Sequence, residues 1–143
     1  MDSDPQHSHA WQAWAVAEKM NGNIELSRFL FSQGIKLCAS HGPLYQAYAV
    51  MEAQQGNYDL ARNLFSEAIT HCPNHAQSYQ AWACLEVRNG NLEVAKKLAA
   101  RGILKSGADH AALWTVLGVI EDRLGQPVKA KTVFEKAIAK FPT

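Results

Sequence analysis

The apolar positions of this 143-residue chain recur at helical spacing inside blocks, and the blocks themselves repeat. Trp11, Tyr45, Tyr79 and Trp114 are each followed four residues later by a small residue (Ala15, Ala49, Ala83, Gly118). Glu18, Glu52, Glu86 and Glu121 come seven residues after each aromatic, and Gly22, Gly56, Gly90 and Gly125 four residues after each Glu. A second set of small residues, Ser27, Ala61, Ala95 and Ala130, opens the next apolar stripe. Gly34, Ala68, Gly102 and Ala137 lie seven residues further on, with Phe31, Phe65, Ala99 and Phe134 between them. Apolar residues at this spacing predict amphipathic helices. A period of 34, 34 and 35 residues predicts helix–turn–helix repeats. The expected fold is therefore all-α: an α-solenoid of four repeats and eight helices, wound as a right-handed superhelix. Boundaries fall at about 7–40, 41–74, 75–109 and 110–143, behind a disordered segment over 1–6.

Each repeat reads as helix A, a tight turn at the glycine, then helix B. Gly56 falls where a helix C-terminus takes a left-handed residue. Asn57 then stands as the N-cap of helix B, with Asp59 in the first turn, where the helix dipole favours negative charge. Asn23 with Glu25 and Asn91 with Glu93 repeat the arrangement, and Gln126-Pro127 replaces it in the fourth repeat. Pro43 suits the first turn of helix A, where its missing N–H is harmless. The extra residue of the last period belongs to the loop near Ser106–Asp109, where an insertion costs little. The small residues mark close helix crossings, and the phenylalanines are the knobs between them.

Composition narrows the picture. The apolar fraction of 48% is ordinary for a folded chain, and no apolar run approaches the ~20 residues that span a bilayer. MDSDPQHSH has neither a basic region with an apolar core nor the character of a transit peptide. A net charge of +1 makes the whole molecule no obvious polyanion binder. The charge is uneven, however: residues 1–75 carry four Lys/Arg against seven Asp/Glu, and residues 76–143 carry ten against six. Cys38, Cys72 and Cys84 are an odd number without paired short spacing, which fits a reducing compartment better than a disulfide framework.

The frame W-x2-[WYL]-[AG]…A…F…A…P resembles a tetratricopeptide repeat across residues 7–143. Two features resemble its relative, the half-a-TPR (HAT) repeat: Glu18, Glu52, Glu86 and Glu121 in helix A, and a basic residue early in helix B (Arg28, Arg62, Lys96, Lys131). The helix A aromatic pairs Trp11/Trp14, Tyr45/Tyr48 and Tyr79/Trp82 also suit HAT, while Trp114/Leu117/Gly118 drifts back toward the ordinary pattern. HAT arrays occur in RNA-processing proteins. The blend is similar to plastid factors that stabilise and process photosystem II transcripts. That resemblance implies a plastid location, or otherwise a nuclear or cytoplasmic one.

The Glu and basic series are structural positions rather than a catalytic set, because each member belongs to its own repeat; Glu18, Glu52, Glu86 and Glu121 are expected to meet Arg28, Arg62 and their equivalents across helices. Histidine recurs at His7, His41, His75 and His110, and HCPNH invites a zinc reading. Zinc wants four convergent ligands and this loop supplies at most three, so no metal and no cofactor is expected. No phosphate loop, nucleophile elbow or oriented Cys/His pair is present, and the chain does not read as an enzyme.

The inner face lined by helix A carries the functional expectation. Gln12, Gln46 and Gln80, with Thr115, form one column, Val16, Val50, Cys84 and Val119 a second, and Lys19, Arg88 and Arg123 stand near the helix ends. Amides at one-repeat spacing can hydrogen-bond successive bases, as in repeat proteins that read single-stranded RNA. Arg88, Arg123 and the cluster Lys96, Lys97, Arg101 and Lys105 could hold phosphates. The primary expectation is a non-catalytic scaffold binding single-stranded RNA in transcript processing or stabilisation. The alternative is an adaptor holding a partner peptide or helix in the groove. Gln12, Gln46, Val16 and Val50 depart from the Lys, Asn and Arg of tetratricopeptide carboxylate clamps. Exposed apolar repeat ends imply either further repeats in a longer parent protein or self-association.

Overall fold

A computed structural model describes residues 5–107 and 110–140. Its eight helices are α1 (Pro5–Met20), α2 (Ile24–Leu37), α3 (Gly42–Gln54), α4 (Tyr58–His71), α5 (Ala76–Arg88), α6 (Leu92–Ser106), α7 (Ala111–Arg123) and α8 (Pro127–Lys140), with no strand among the described residues. The expected all-α fold of tandem helical pairs is what forms. Pro5 and Gln6 belong to α1, and the rest of the segment expected over 1–6, residues 1–4, lies outside the described residues. The chain divides into two compact halves, Met1–Pro73 and Asn74–Thr143, of two repeats each.

Every turn between helix A and helix B is built the same way. Gly56 sits at φ +85°, its N–H bonds the carbonyl of Ala53 at 3.1 Å, and the Asn57 N–H bonds that of Glu52 at 2.9 Å. These paired bonds close the last carbonyls of the helix and demand a left-handed residue, which glycine adopts without strain. Gly22, Gly90 and Gly125 repeat the geometry, and Asn23, Asn91 and Gln126 each reach back to their repeat's Glu at 2.8–2.9 Å.

The expectation that Asn57 and its equivalents cap helix B needs correcting. Asn23, Asn57 and Asn91 occupy the N-cap positions, yet none makes a side-chain cap bond. Their amides instead donate to the Glu carboxylates, at 2.7 Å for Asn23–Glu18 and Asn57–Glu52 and 2.8 Å for Asn91–Glu86. A cap bond would need the amide oxygen to accept from an N–H of helix B; the side chain is instead turned so that its Nδ2 donates to the charged carboxylate, a stronger type of bond.

The small and aromatic positions form the cores. In the first half Ala15, Leu30, Phe31, Leu44 and Met51 are fully buried, with Trp11, Ile35 and Tyr48 packed against them. In the second half Ala83, Ala95, Ala99 and Ile120 play that part, with Trp82, Val116 and Leu117 alongside. A buried phenylalanine such as Phe31 contributes on the order of 2–3 kcal/mol of transfer free energy. Ser27 fills a small position, and its hydroxyl donates to the Ala15 carbonyl at 2.8 Å, so the buried oxygen is satisfied. A Cβ on Gly102 would stand 2.6 Å from the Tyr79 Cβ, which is why only glycine fits there. α6 runs to Ser106 and ends on Gly107 at φ +90°. The inserted residue expected in this connection cannot be placed further, because 108 and 109 lie outside the described residues.

Candidate functional site

Two arrangements stand out among the described residues, a set of carboxylate pairings and an open cavity. The first is centred on the helix A glutamates. Glu52 is 0% exposed and accepts from Arg28 Nε at 2.7 Å, Arg28 Nη2 at 3.1 Å and Asn57 Nδ2 at 2.7 Å. The hydrogen bond to Glu52 raises the Arg28 guanidinium above its ordinary range, against a smaller opposing effect of burial. Arg28 comes from helix B of the first repeat and Glu52 from helix A of the second, so the pair ties neighbouring repeats together. Lys96 and Glu121 do the same in the second half at 3.3 Å.

Tryptophans serve two of the helix A carboxylates as well. Trp14 Nε1 donates to Glu18 at 3.2 Å and Trp82 Nε1 to Glu86 at 3.1 Å. Asn23 and Asn91 add a second donor to each of these two carboxylates. Glu121 alone keeps a buried oxygen, Oε1, without a partner, because Gln126 replaces the asparagine that serves the other three.

The second arrangement is a cavity of about 380 Å³ between α5 and α7, lined by Cys84, Val87, Arg88, Thr115, Val116 and Val119. Cys84 and Arg88 are one helical turn apart on α5, as are Thr115 and Val119 on α7, so each helix presents one stripe to the cavity. Its walls are mainly apolar, with Arg88 as the single charge. Burial pushes the Cys84 thiol above its ordinary value of 9.0, opposed in part by Arg88, so the thiol is neutral at physiological pH. A concave apolar site of this size with one charged group suits a ligand that inserts an aliphatic side chain beside a negative group.

Gln80 lies with Gln77 and His110 beside a second hollow, and Gln12 lies on α1 beside His9 and Val16. Gln12, Gln46 and Gln80 are half-buried rather than a free row of amides. Lys19 is half-buried in the last turn of α1, and Arg123 is exposed in the last turn of α7. Of the basic cluster, Lys96 is engaged with Glu121, which leaves Lys97, Arg101 and Lys105 exposed along α6 and apart from the α5/α7 cavity. Arg62 pairs with Asp59 at 3.1 Å. His75, at the start of α5, meets the Ser78 hydroxyl at 2.7 Å, and burial followed by the nearby His110 lowers its pKa below 6.5. Among the described residues, no three His, Cys, Asp or Glu side chains converge to hold a metal, and no helix is long and apolar enough to cross a membrane. Cys38, Cys72 and Cys84 are not paired in disulfides.

Comparison with known proteins agrees with the fold. Two tetratricopeptide-repeat models match residues 42–85 and 81–143. No curated protein matches the chain. Among solved structures, Pseudomonas aeruginosa PilF superposes with a TM-score of 0.83 at 16% identity, over 96% of this chain and 62% of that one. This chain therefore spans less than two thirds of the PilF structure's length. The MamA protein gives 0.78 at 14% identity, over 96% and 74%. The first TPR domain of Spaghetti (RPAP3), solved with the HSP90 peptide SRMEEVD, gives 0.75 at 15% identity, over 87% and 99%. Identities this low speak for the fold alone. The repeat spacing, the four glycine turns and both family matches lead to one conclusion: the chain belongs to the tetratricopeptide-repeat family.

Proposed function

We propose that this chain is a non-catalytic scaffold that holds a segment of a partner protein across α5 and α7. The observation that carries this reading is the 380 Å³ apolar cavity with Arg88 at its edge. An aliphatic side chain of the partner fills the cavity, and an acidic side chain or C-terminal carboxylate pairs with Arg88. The Spaghetti domain, whose bound HSP90 peptide SRMEEVD joins a valine to acidic residues, supports the chemistry by analogy only.

Single-stranded RNA is the second reading. What favours it is the exposed row Lys97, Arg101 and Lys105 on α6, together with the HAT-like phrasing of the repeats and the plastid transcript-processing role they suggest. It stands behind the protein reading because the glutamine column is half-buried and Lys96 is engaged.

The test is selection of a random 12-residue displayed peptide library on the chain, with anisotropy of labelled oligo(U) and oligo(A) RNA at two salt concentrations in parallel. The expected result is peptides pairing an aliphatic with an acidic residue, which Val119→Glu abolishes and Arg88→Ala weakens about tenfold. Those peptides also slow reaction of Cys84 with a thiol reagent. Salt-sensitive RNA binding, with no selected peptide responding to Val119→Glu, overturns the protein reading in favour of RNA.

A further inference from the structure

We propose that the chain self-associates head to tail, with α8 of one copy docked on α1 of the next. The contact between successive repeats is seen directly inside the chain. Where α2 meets α3, Arg28 binds Glu52, Phe31 stacks on Tyr48 at a centroid distance of 5.2 Å, and Ile35 packs against the core. Each half of that contact recurs at a place where nothing in its own half of the chain completes it.

The acidic, aromatic half is on α1. Trp14 stands at the position of Tyr48 and is 51% exposed, beside a hollow of about 260 Å³ shared with His7, Ala10 and Trp11. Glu18 stands at the position of Glu52. It receives Trp14 and Asn23, but no cation among the described residues takes the place of Arg28. The basic, aliphatic half is on α8. Lys131, Phe134 and Ile138 stand at the positions of Arg28, Phe31 and Ile35. Lys131 is exposed and meets no carboxylate among the described residues, and Ile138 is 68% exposed where Ile35 is half-buried.

The two halves are complementary in charge and in apolar shape, and one chain carries both. The contact is heterologous, so each added copy presents a fresh acceptor, and growth ends only if a ring closes. The occupant is a second copy of this chain, because α8 supplies the three side chains in the register that α1 lacks. The proposal does not depend on a ligand in the peptide cavity.

Sedimentation velocity and light scattering from micromolar to millimolar concentration test it. The expected result is a weight-average mass that rises with concentration. Lys131→Glu, at an exposed position that leaves the fold intact, weakens association at least tenfold, and so does Trp14→Ser. Glu18→Lys does the same alone. The charge-reversed pair restores association, either in one chain or as an equimolar mixture of the two single variants. Circular dichroism checks that each variant is folded. A monomer at every concentration overturns the proposal, as does association that Lys131→Glu leaves unchanged or that the mixture fails to restore.

Discussion

Replacing Arg28 by methionine tests what joins the first two repeats. The substitution keeps most of the aliphatic volume and removes both guanidinium bonds to Glu52, whose carboxylate is 0% exposed. Among the described residues, Asn57 is then the one donor left on that carboxylate. Stranding a buried charge by removing its partner costs about 3–5 kcal/mol. The Arg28 side chain is 29% exposed, so water reaches part of the vacated space and reduces the cost to about 2–3 kcal/mol. Its second bond, to the exposed Glu25 at 2.7 Å, adds at most a few tenths of a kcal/mol. The double variant Arg28→Met/Glu52→Met removes the stranded charge and is expected to lose only about 1 kcal/mol. Urea titration by circular dichroism, with tryptophan fluorescence as a second probe, measures both variants. A loss of about 2–3 kcal/mol corresponds to a fall in Tm of roughly 6–10 °C at this chain length. If Arg28→Met costs less than about 0.5 kcal/mol, or the double variant is worse than the single one, then the ion pair does not hold the repeats together in the way argued.

Three further outcomes follow from single contacts. Gly102→Ala gains up to ~1 kcal/mol of helix propensity but drives a methyl to 2.6 Å from the Tyr79 Cβ, and a net loss of about 1–2 kcal/mol in urea titration is expected; a gain would show that α5 and α6 separate freely. Gln126→Asn supplies the missing donor to Glu121 Oε1 and should raise stability by about 0.5–1 kcal/mol, with no change counting against the comparison with the other three turns. Because burial and His110 hold the His75 pKa below 6.5 in the native state, the unfolded chain takes up its proton first as pH falls; stability from this group is present above pH 6.5 and is lost below it, down to the lowered native value. His75→Gln should flatten the stability-versus-pH curve over that interval, and an unchanged curve would assign the dependence elsewhere.

Repeat length, helix count, turn positions and the small-residue crossings were legible in the order of residues because each depends on local chemistry copied four times. Only glycine takes φ near +80° without strain, so Gly22, Gly56, Gly90 and Gly125 mark the turns by themselves. The positions of Phe31, Phe65 and Ala99 were visible as core for the same reason, through their spacing to neighbouring small residues. The cavity-lining positions Cys84, Arg88, Thr115 and Val119 could also be placed on helix A, since a 3.6-residue period assigns faces.

What lay beyond the sequence was the competition among partners for each polar group. Asn57 reads as a helix cap from its position and becomes a carboxylate donor only because Glu52 folds back within 2.7 Å of it. Lys96 reads as part of a phosphate-binding cluster and is taken by Glu121, which α7 brings from 25 residues along the chain. Gln12, Gln46 and Gln80 became half-buried through packing alone. The residues alone determined that this chain forms paired helices with glycine turns, because those depend on backbone conformation and periodicity. Tertiary structure decided which charges are spent on holding repeats together and which face a ligand, because Coulomb and hydrogen-bond energies depend on distances and burial that exist only once the helices have packed.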